Sequence, residues 1–175
     1  GLNVEVIMAY QPEQMKTFSA EIKRLYGRLV NFPVPTIAAI NGHAFAAGAF
    51  LALACDYRIM REDKGWFCIS EVDVGVAINP ELMAIAQEKL SPSVFRDAVL
   101  MGKRFTGPES VKSGIADAVC SEDSLVISAM ELISSLSTKK RAIFTTLKST
   151  LYASYAQGLG VTENSYTAKS ASQII

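Results

Sequence analysis

Apolar residues recur at intervals of three and four from Met15 through Phe18, Ile22, Leu25 and Leu29, after an opening Gln11-Pro12-Glu13. This spacing predicts a helix that ends before Pro33. A short apolar run, Thr36 to Ile40, then reads as a buried strand, Gly42 punctuates it, and Phe50 to Cys55 has the composition of a buried helix that begins near Ala47. Asp56 to Met60 predicts a second strand, Arg61 to Gly65 a charged turn, and Trp66 to Ser70 a third strand with Glu71 at its end. Beyond Pro80 the pattern turns helical: Glu81 to Leu90, Pro92 to Met101, and a short helix with capping-box spacing in Thr106-Gly-Pro-Glu109 that ends at Gly114. After a short strand over Ala116 to Cys120, Leu125, Ala129, Leu132 and Leu136 mark one helix face. Ile143, Leu147 and Leu151 mark another, in a helix over Lys139 to Gln157. Gly1 to Gln11 reads as an apolar lead-in, and Thr162 to Gln173 as polar chain that is either poorly ordered or docked on a neighbouring subunit. Strands feeding helices first and helices alone later predict an α/β layered domain.

Half of the 175 residues are hydrophobic, enough for a single buried core. Seventeen basic residues balance seventeen acidic ones without a basic run, so a broad nucleic-acid footprint is not expected. Cys55, Cys68 and Cys120 stand singly in apolar segments, which gives neither a disulfide framework nor metal-ligand spacing and points to a reducing compartment. No apolar run approaches the roughly 18 residues of a membrane span, and no signal-peptide pattern opens the chain. The chain starts at Gly1, which is not a translation start, so a segment upstream is expected to have been removed or to lie outside this sequence.

Chemistry concentrates at two places. The small residues Ala46, Ala47, Gly48 and Ala49 start a helix whose first N–H groups lack intrahelical acceptors. Such a start suits a developing oxyanion, and equally suits a close helix-on-sheet seam. Glu71 is followed by Val72, Val74, Gly75, Val76, Ala77 and Ile78, a setting that would raise its pKa by desolvation and fit it for proton transfer. A Glu turned to solvent at a strand end fits the same pattern. His43, the single histidine, has no partner set for a triad and reads as a turn residue, while Cys55 and Cys68 read as core thiols.

Taken together, the stretch from Pro35 to Ile59, with Asn41-Gly-His-Ala-Phe-Ala-Ala-Gly-Ala-Phe50 at its centre, resembles the signature of the crotonase superfamily, the enoyl-CoA hydratases and isomerases. The likeness continues through Phe67-Cys-Ile-Ser-Glu71 with Gly75, and through Leu100 to Val119, and covers roughly residues 13 to 160. It implies an α/β fold, a spiral of ββα units with C-terminal helices for oligomerisation. Residues 1–120 would form the core, incomplete at its N-terminus, and residues 121–175 a helical assembly region of the same domain. Gly1 to Val4 resembles the tail of the family's Phe-Ser/Ala-x-Gly-x-Asp-Leu loop, with Asn3 where Asp is common. One oxyanion donor would then lie upstream of Gly1, with about the first third of a family domain.

Carried over by position, the resemblance makes the Ala47 N–H an oxyanion donor, at a place where many relatives have Gly, and Glu71 a catalytic carboxylate. Ser70, Gly48 and Phe50 would line the substrate. Hydratases place a second catalytic Glu where this chain has Phe50. Hydration uses two carboxylates to hold and activate water, whereas moving a double bond needs one base that takes a proton and returns it elsewhere. The chain therefore resembles the Δ3,Δ2-enoyl-CoA isomerase branch of fatty-acid β-oxidation. The alternatives are a hydratase and a non-catalytic crotonase-like module that binds acyl-CoA or assembles with active subunits. Thioester hydrolysis would want polar groups near Phe50 or Val76 that the chain lacks. The resemblance further implies no metal or redox cofactor, CoA being part of the substrate, no nucleic-acid or membrane partner, and a homotrimer or a dimer of trimers. Gln173-Ile-Ile175 is not a Ser-Lys-Leu address, which leaves peroxisome, cytoplasm and mitochondrion open for a soluble protein.

Overall fold

The computed structural model describes residues 2–156 and 158–159. It opens with α1 (Val4–Met8), a short helix where the sequence pattern gave only a lead-in. Asn3 caps it, its side-chain oxygen accepting the Val6 N–H at 3.2 Å. Next comes α2 (Pro12–Val30), entered through a capping box between Gln11 and Gln14 and a Pro in its first turn.

Two ββα units follow. The first is β1 (Ile37–Ile40), β2 (Ala44–Phe45) and α3 (Ala47–Ala54); the second is β3 (Tyr57–Arg61), β4 (Phe67–Cys68) and α4 (Glu71–Val74). After them come α5 (Pro80–Lys89), α6 (Pro92–Met101), α7 (Gly107–Lys112), β5 (Ala118–Cys120), α8 (Leu125–Ser137), α9 (Arg141–Leu151) and α10 (Ala153–Ala156). The first strand of each unit joins one parallel sheet, in the order β1-β3-β5, and the second strand joins another, β2 beside β4. That alternation between two sheets is the expected spiral of ββα units.

Gly65 allows the two sheets to approach. It has φ +97°, and a Cβ there would lie 2.1 Å from the Gly42 carbonyl oxygen, so the turns before β2 and β4 touch through bare backbone. Between the layers, Phe50, Leu53, Met60, Phe67, Ile69, Ile85 and Ile115 form a core closed to water. The capping box predicted at Thr106 is present, with the Glu109 carboxylate accepting the Thr106 N–H at 2.8 Å.

Three expectations need correction. Of the stripe predicted on α2, Ile22 and Leu29 pack on the core, but Leu25 is 51% exposed and Tyr26 and Val30 are buried in its place. The third strand stops at Cys68, because Ser70 has φ −93° and ψ 8° and turns the chain, so Glu71 begins a helix rather than ending a strand. The helix expected over 139–157 is broken at Tyr152 into α9 and α10, and Ile143, Leu147 and Leu151 face outward. Gln157 and the segment from Thr162 to Gln173 lie outside the described residues.

The opposite face of α9 carries a buried ion pair. Lys148 Nζ meets Asp56 Oδ2 at 2.6 Å, and the Lys148 ammonium also donates to the Val34 carbonyl at 3.3 Å. Asp56 in turn accepts from the Thr36 N–H at 2.8 Å and the Thr36 hydroxyl at 3.0 Å. This cluster ties α9 to the start of β1 and to the turn before β3. Asp56→Ala leaves the buried ammonium without its counter-charge and is expected to cost about 3–5 kcal/mol in urea unfolding. Adding Lys148→Met to it should recover part of that loss, because the orphaned charge goes with it.

Candidate active site

β2 and β4 run parallel, with Ala44 opposite Phe67 and Phe45 opposite Cys68. Ala44 N–H donates to the Trp66 carbonyl at 2.8 Å and Ala46 N–H to the Cys68 carbonyl at 3.0 Å. Each strand runs almost at once into a helix, β2 into α3 at Ala47 and β4 into α4 at Glu71. Adjacent parallel strands lie about 4.8 Å apart, so the two helix starts emerge side by side at the C-terminal edge of this small sheet, where α/β folds commonly place ligands.

Ala46 makes the α3 start abrupt. Its φ of 48° and ψ of −119° lie in a region that glycine enters freely and an L side chain enters under strain. The strained residue turns the chain so that the Ala46 carbonyl accepts both the Ala49 N–H at 2.9 Å and the Phe50 N–H at 3.1 Å. The N–H groups of Ala47 and Gly48, one turn too early for an acceptor within the helix, are left as the donors of its first turn. No local residue pattern signalled this conformation, because alanine has no preference for it.

A residue absent from the sequence-based candidates connects the two starts. Tyr26, on α2 and 2% exposed, donates its hydroxyl to the Ala47 carbonyl at 2.8 Å. Its own ionisation is pushed up to about 12, first by burial and then by the negative charge of Glu71. The hydroxyl thus keeps its proton at physiological pH and lies within electrostatic reach of that carboxylate.

Glu71 is partly buried, and its Oε2 is enclosed with no hydrogen-bond partner. Burial pushes its pKa above the ordinary carboxylate range, partly offset by its own backbone N–H at the start of α4. The neighbours responsible are not the following valines, as the sequence suggested. Val72, Val74 and Val76 are 50%, 64% and 57% exposed. Four residues of helix closed by Gly75 at φ 69° carry them outward, and Glu71 is dried instead by tertiary packing. Cys68 is fully buried, and burial pushes its thiol up, opposed by Arg104 and helped by the charges of Asp73 and Glu71.

Ser70 is the residue before the α4 helix, with its carbonyl accepting the Asp73 N–H at 3.0 Å. Gly48 is the second residue of α3, and its Cβ position is open, with nothing within 4 Å. Phe50 is wholly enclosed in the core, so it occupies the volume behind the α3 start instead of presenting a surface to ligand. His43 stacks on Trp66 at 5.0 Å between ring centroids and faces outward, away from triad chemistry. Cys55 is buried, with its thiol pushed up chiefly by desolvation. Among the described residues no group of three or more His, Cys, Asp or Glu could hold a metal ion, and no helix is long and apolar enough to cross a membrane.

Glu71, whose Oε2 is enclosed without a partner, and the start of α3 thus leave the same edge of the small sheet on a ββα spiral. The enoyl-CoA hydratase/isomerase family model matches residues 1–169, and the chain belongs to that family. It is 37% identical over 144 residues to the peroxisomal enoyl-CoA delta isomerase 2 of Arabidopsis thaliana, covering 79% of this chain and 60% of that protein. It is 33% identical over 157 residues to enoyl-CoA delta isomerase 3 of the same plant, covering 87% of this chain and 66% of the relative. The chain thus spans two thirds or less of these curated relatives. In three dimensions it superposes on an enoyl-CoA hydratase from Mycobacterium ulcerans with a TM-score of 0.85 at 22% identity, over 91% of this chain and 70% of that one. This is the crotonase fold.

The strain at Ala46 yields a prediction. Ala46→Gly relieves a conformation costing on the order of 1–2 kcal/mol, and glycine's greater freedom in the unfolded chain offsets part of the gain. A net stabilisation of about 1 kcal/mol is expected in urea unfolding, and a destabilised variant would show that Ala46 is not under strain.

Proposed function

We propose that the protein is a Δ3,Δ2-enoyl-CoA isomerase, in which Glu71 moves one proton between two carbons of an unsaturated acyl thioester. The observation that carries the reading is the enclosed Glu71 Oε2, without a hydrogen-bond partner, at the same sheet edge as the first N–H groups of α3. Glu71 removes a proton from C2 of a 3-enoyl-CoA, and the electrons move into a dienolate whose oxygen is held by the Ala47 N–H. The protonated Glu71 then returns the proton at C4, giving the trans-2-enoyl product, so that no proton is gained or lost overall.

Phe50 supports isomerase over hydratase. A hydratase of this family needs a second carboxylate at that position to activate water, and a fully buried phenyl ring supplies neither a base nor room for the water. Ser70 and Gly48 border the acyl thioester. The names of the two plant relatives favour the same reaction. The outward apolar residues Val126, Ile127 and Met130 of α8, and Ile143, Leu147 and Leu151 of α9, support residues 121–175 as the assembly region of a homotrimer or a dimer of trimers. One of those relatives is named peroxisomal, which makes the peroxisome the first compartment to test.

The test is to follow conjugation of 3-hexenoyl-CoA and hydration of trans-2-hexenoyl-CoA separately with the full-length protein. Fast conjugation with little hydration is expected. Glu71→Gln should lower the isomerisation rate by at least a thousandfold while acyl-CoA still binds, and near-normal turnover would end the proposal. The base works only when ionised, so kcat/KM should fall as pH drops through the Glu71 pKa. Because burial raises that pKa, the fall should begin at a higher pH than an exposed glutamate would give. A flat acid limb down to pH 4.5 would contradict this assignment.

A further inference from the structure

An ammonium drawn into a protein normally has a carboxylate beside it. Lys148 has Asp56 at 2.6 Å and Lys23 has Glu81 at 2.7 Å. Lys89, the last residue of α5, is half-buried and differs from both. Its side chain reaches the junction of α9 and α10, where the nitrogen donates to the Tyr152 hydroxyl and lies 4.0 Å from the centre of the Tyr152 ring. Among the described residues no carboxylate pairs with it.

The groups around this nitrogen give it little negative charge. β3 contributes Arg58, 5% exposed, and α9 contributes Lys148. Tyr152 and Tyr155 are phenols that burial keeps protonated, and Cys55 is a thiol that burial keeps protonated. Asp56, the acid that acts on Lys89, is already paired with Lys148, and Glu88 on α5 itself is exposed. Burial first and the Arg58 charge next push the Lys89 amine down to about 8; Lys148 adds to this, and Asp56 and Cys55 only partly oppose it.

We propose that Lys89 is a modification site, an amine placed to accept an acyl group from a thioester of the acyl-CoA class. The neutral nitrogen adds to the thioester carbonyl carbon, the carbon–sulfur bond breaks, and the leaving thiolate takes up the proton that the nitrogen gives up. The products are an N-acyl lysine and a free thiol, with no oxidant or further reactant needed.

The surroundings suit the product as well as the nucleophile. Acylation at Lys89 breaks no ion pair, whereas at Lys23 or Lys148 it would strand a carboxylate. The amide nitrogen keeps one hydrogen for the Tyr152 hydroxyl, and a neutral amide no longer repels Arg58 and Lys148. Lys148 shares the downward shift, but it is 5% exposed and held by Asp56, so an acyl donor does not reach it. Lys89 alone of the two combines a neutral amine with access from solvent.

The test treats the folded wild-type protein with acetyl-CoA across pH 7 to 10 and follows N-acetylation of each lysine by peptide mass spectrometry. At pH 8 about half of Lys89 is neutral, against roughly one in 300 for a lysine at the ordinary value. A less basic nitrogen is also a weaker nucleophile, which leaves an advantage of about tenfold. Lys89 should therefore react roughly tenfold faster than the exposed Lys16, Lys64 and Lys112 at pH 8. Its rate should level off above about pH 9 while theirs keep rising. A Lys89 rate equal to or below those of the exposed lysines would overturn the proposal, and so would labelling of Lys148 in step with Lys89, which would assign the reactivity to unfolding. Lys89→Arg should remove the fast acetylation from the intact-mass spectrum, and a fast phase that persists would place it elsewhere and overturn the assignment. The proposal does not rest on the isomerase reading: Glu71→Gln should acetylate at Lys89 at the wild-type rate, so either can fail while the other stands.

Discussion

The site depends on a backbone pairing only two residues long on each side. β2 and β4 are joined in parallel by the bonds from Ala44 to Trp66 and from Ala46 to Cys68, and this register sets two helix starts next to one another. A slip of one residue would exchange the faces of both strands and separate the α3 amides from Glu71. The pairing itself depends on the close approach of Gly42 and Gly65, since any side chain at residue 65 would meet the opposing carbonyl. So short a sheet has little stability of its own. It is held in register by Phe67, Cys68 and Ile69, which are closed to water, and by the bridge from Phe67 to Phe105.

Around that pairing, two residues adopt states that local chemistry disfavours. Ala46 has a backbone conformation suited to glycine, and Glu71 has an enclosed oxygen with no partner. Elsewhere the chain follows local rules closely, as in the boxes capping α2 and α7 and the Asn79 cap of α5. A strained backbone and an unpartnered carboxyl oxygen at one sheet edge are what is expected where a surrounding scaffold holds a reactive arrangement in place. Part of that scaffold is polar. The Lys148–Asp56 pair and the Tyr26 hydroxyl each join elements distant in sequence through hydrogen bonds closed to water.

The helices at the end of the chain have two characters. The inner face of α8 packs Leu125 and Ala129 on Ile59, and α9 turns Lys148 inward. Their outer faces remain apolar, with Ile127, Met130, Leu147 and Leu151 exposed. A helix with apolar residues on both sides fits a position between two bodies, its own core and another surface.

Much of this protein was legible in its residues. Periodicity gave α2 and α8, because those segments are long enough for the amphipathic pattern to repeat, and α2 and α6 also open on a Pro. The motif around Asn41 to Phe50 placed the α3 start at Ala47, where the helix begins. Tertiary structure alone decided the rest. Tyr26 had no signal, because its importance lies in a bond to a carbonyl 21 residues away and a tyrosine on an apolar helix face reads as ordinary core. The valines after Glu71 misled, because hydrophobic composition gives no direction: a four-residue helix turned them outward, and the carboxylate was dried by groups contributed from other elements. The sequence determines which groups are present and which segments coil or extend; which of them share one water-poor space is set by packing between segments that no local pattern records.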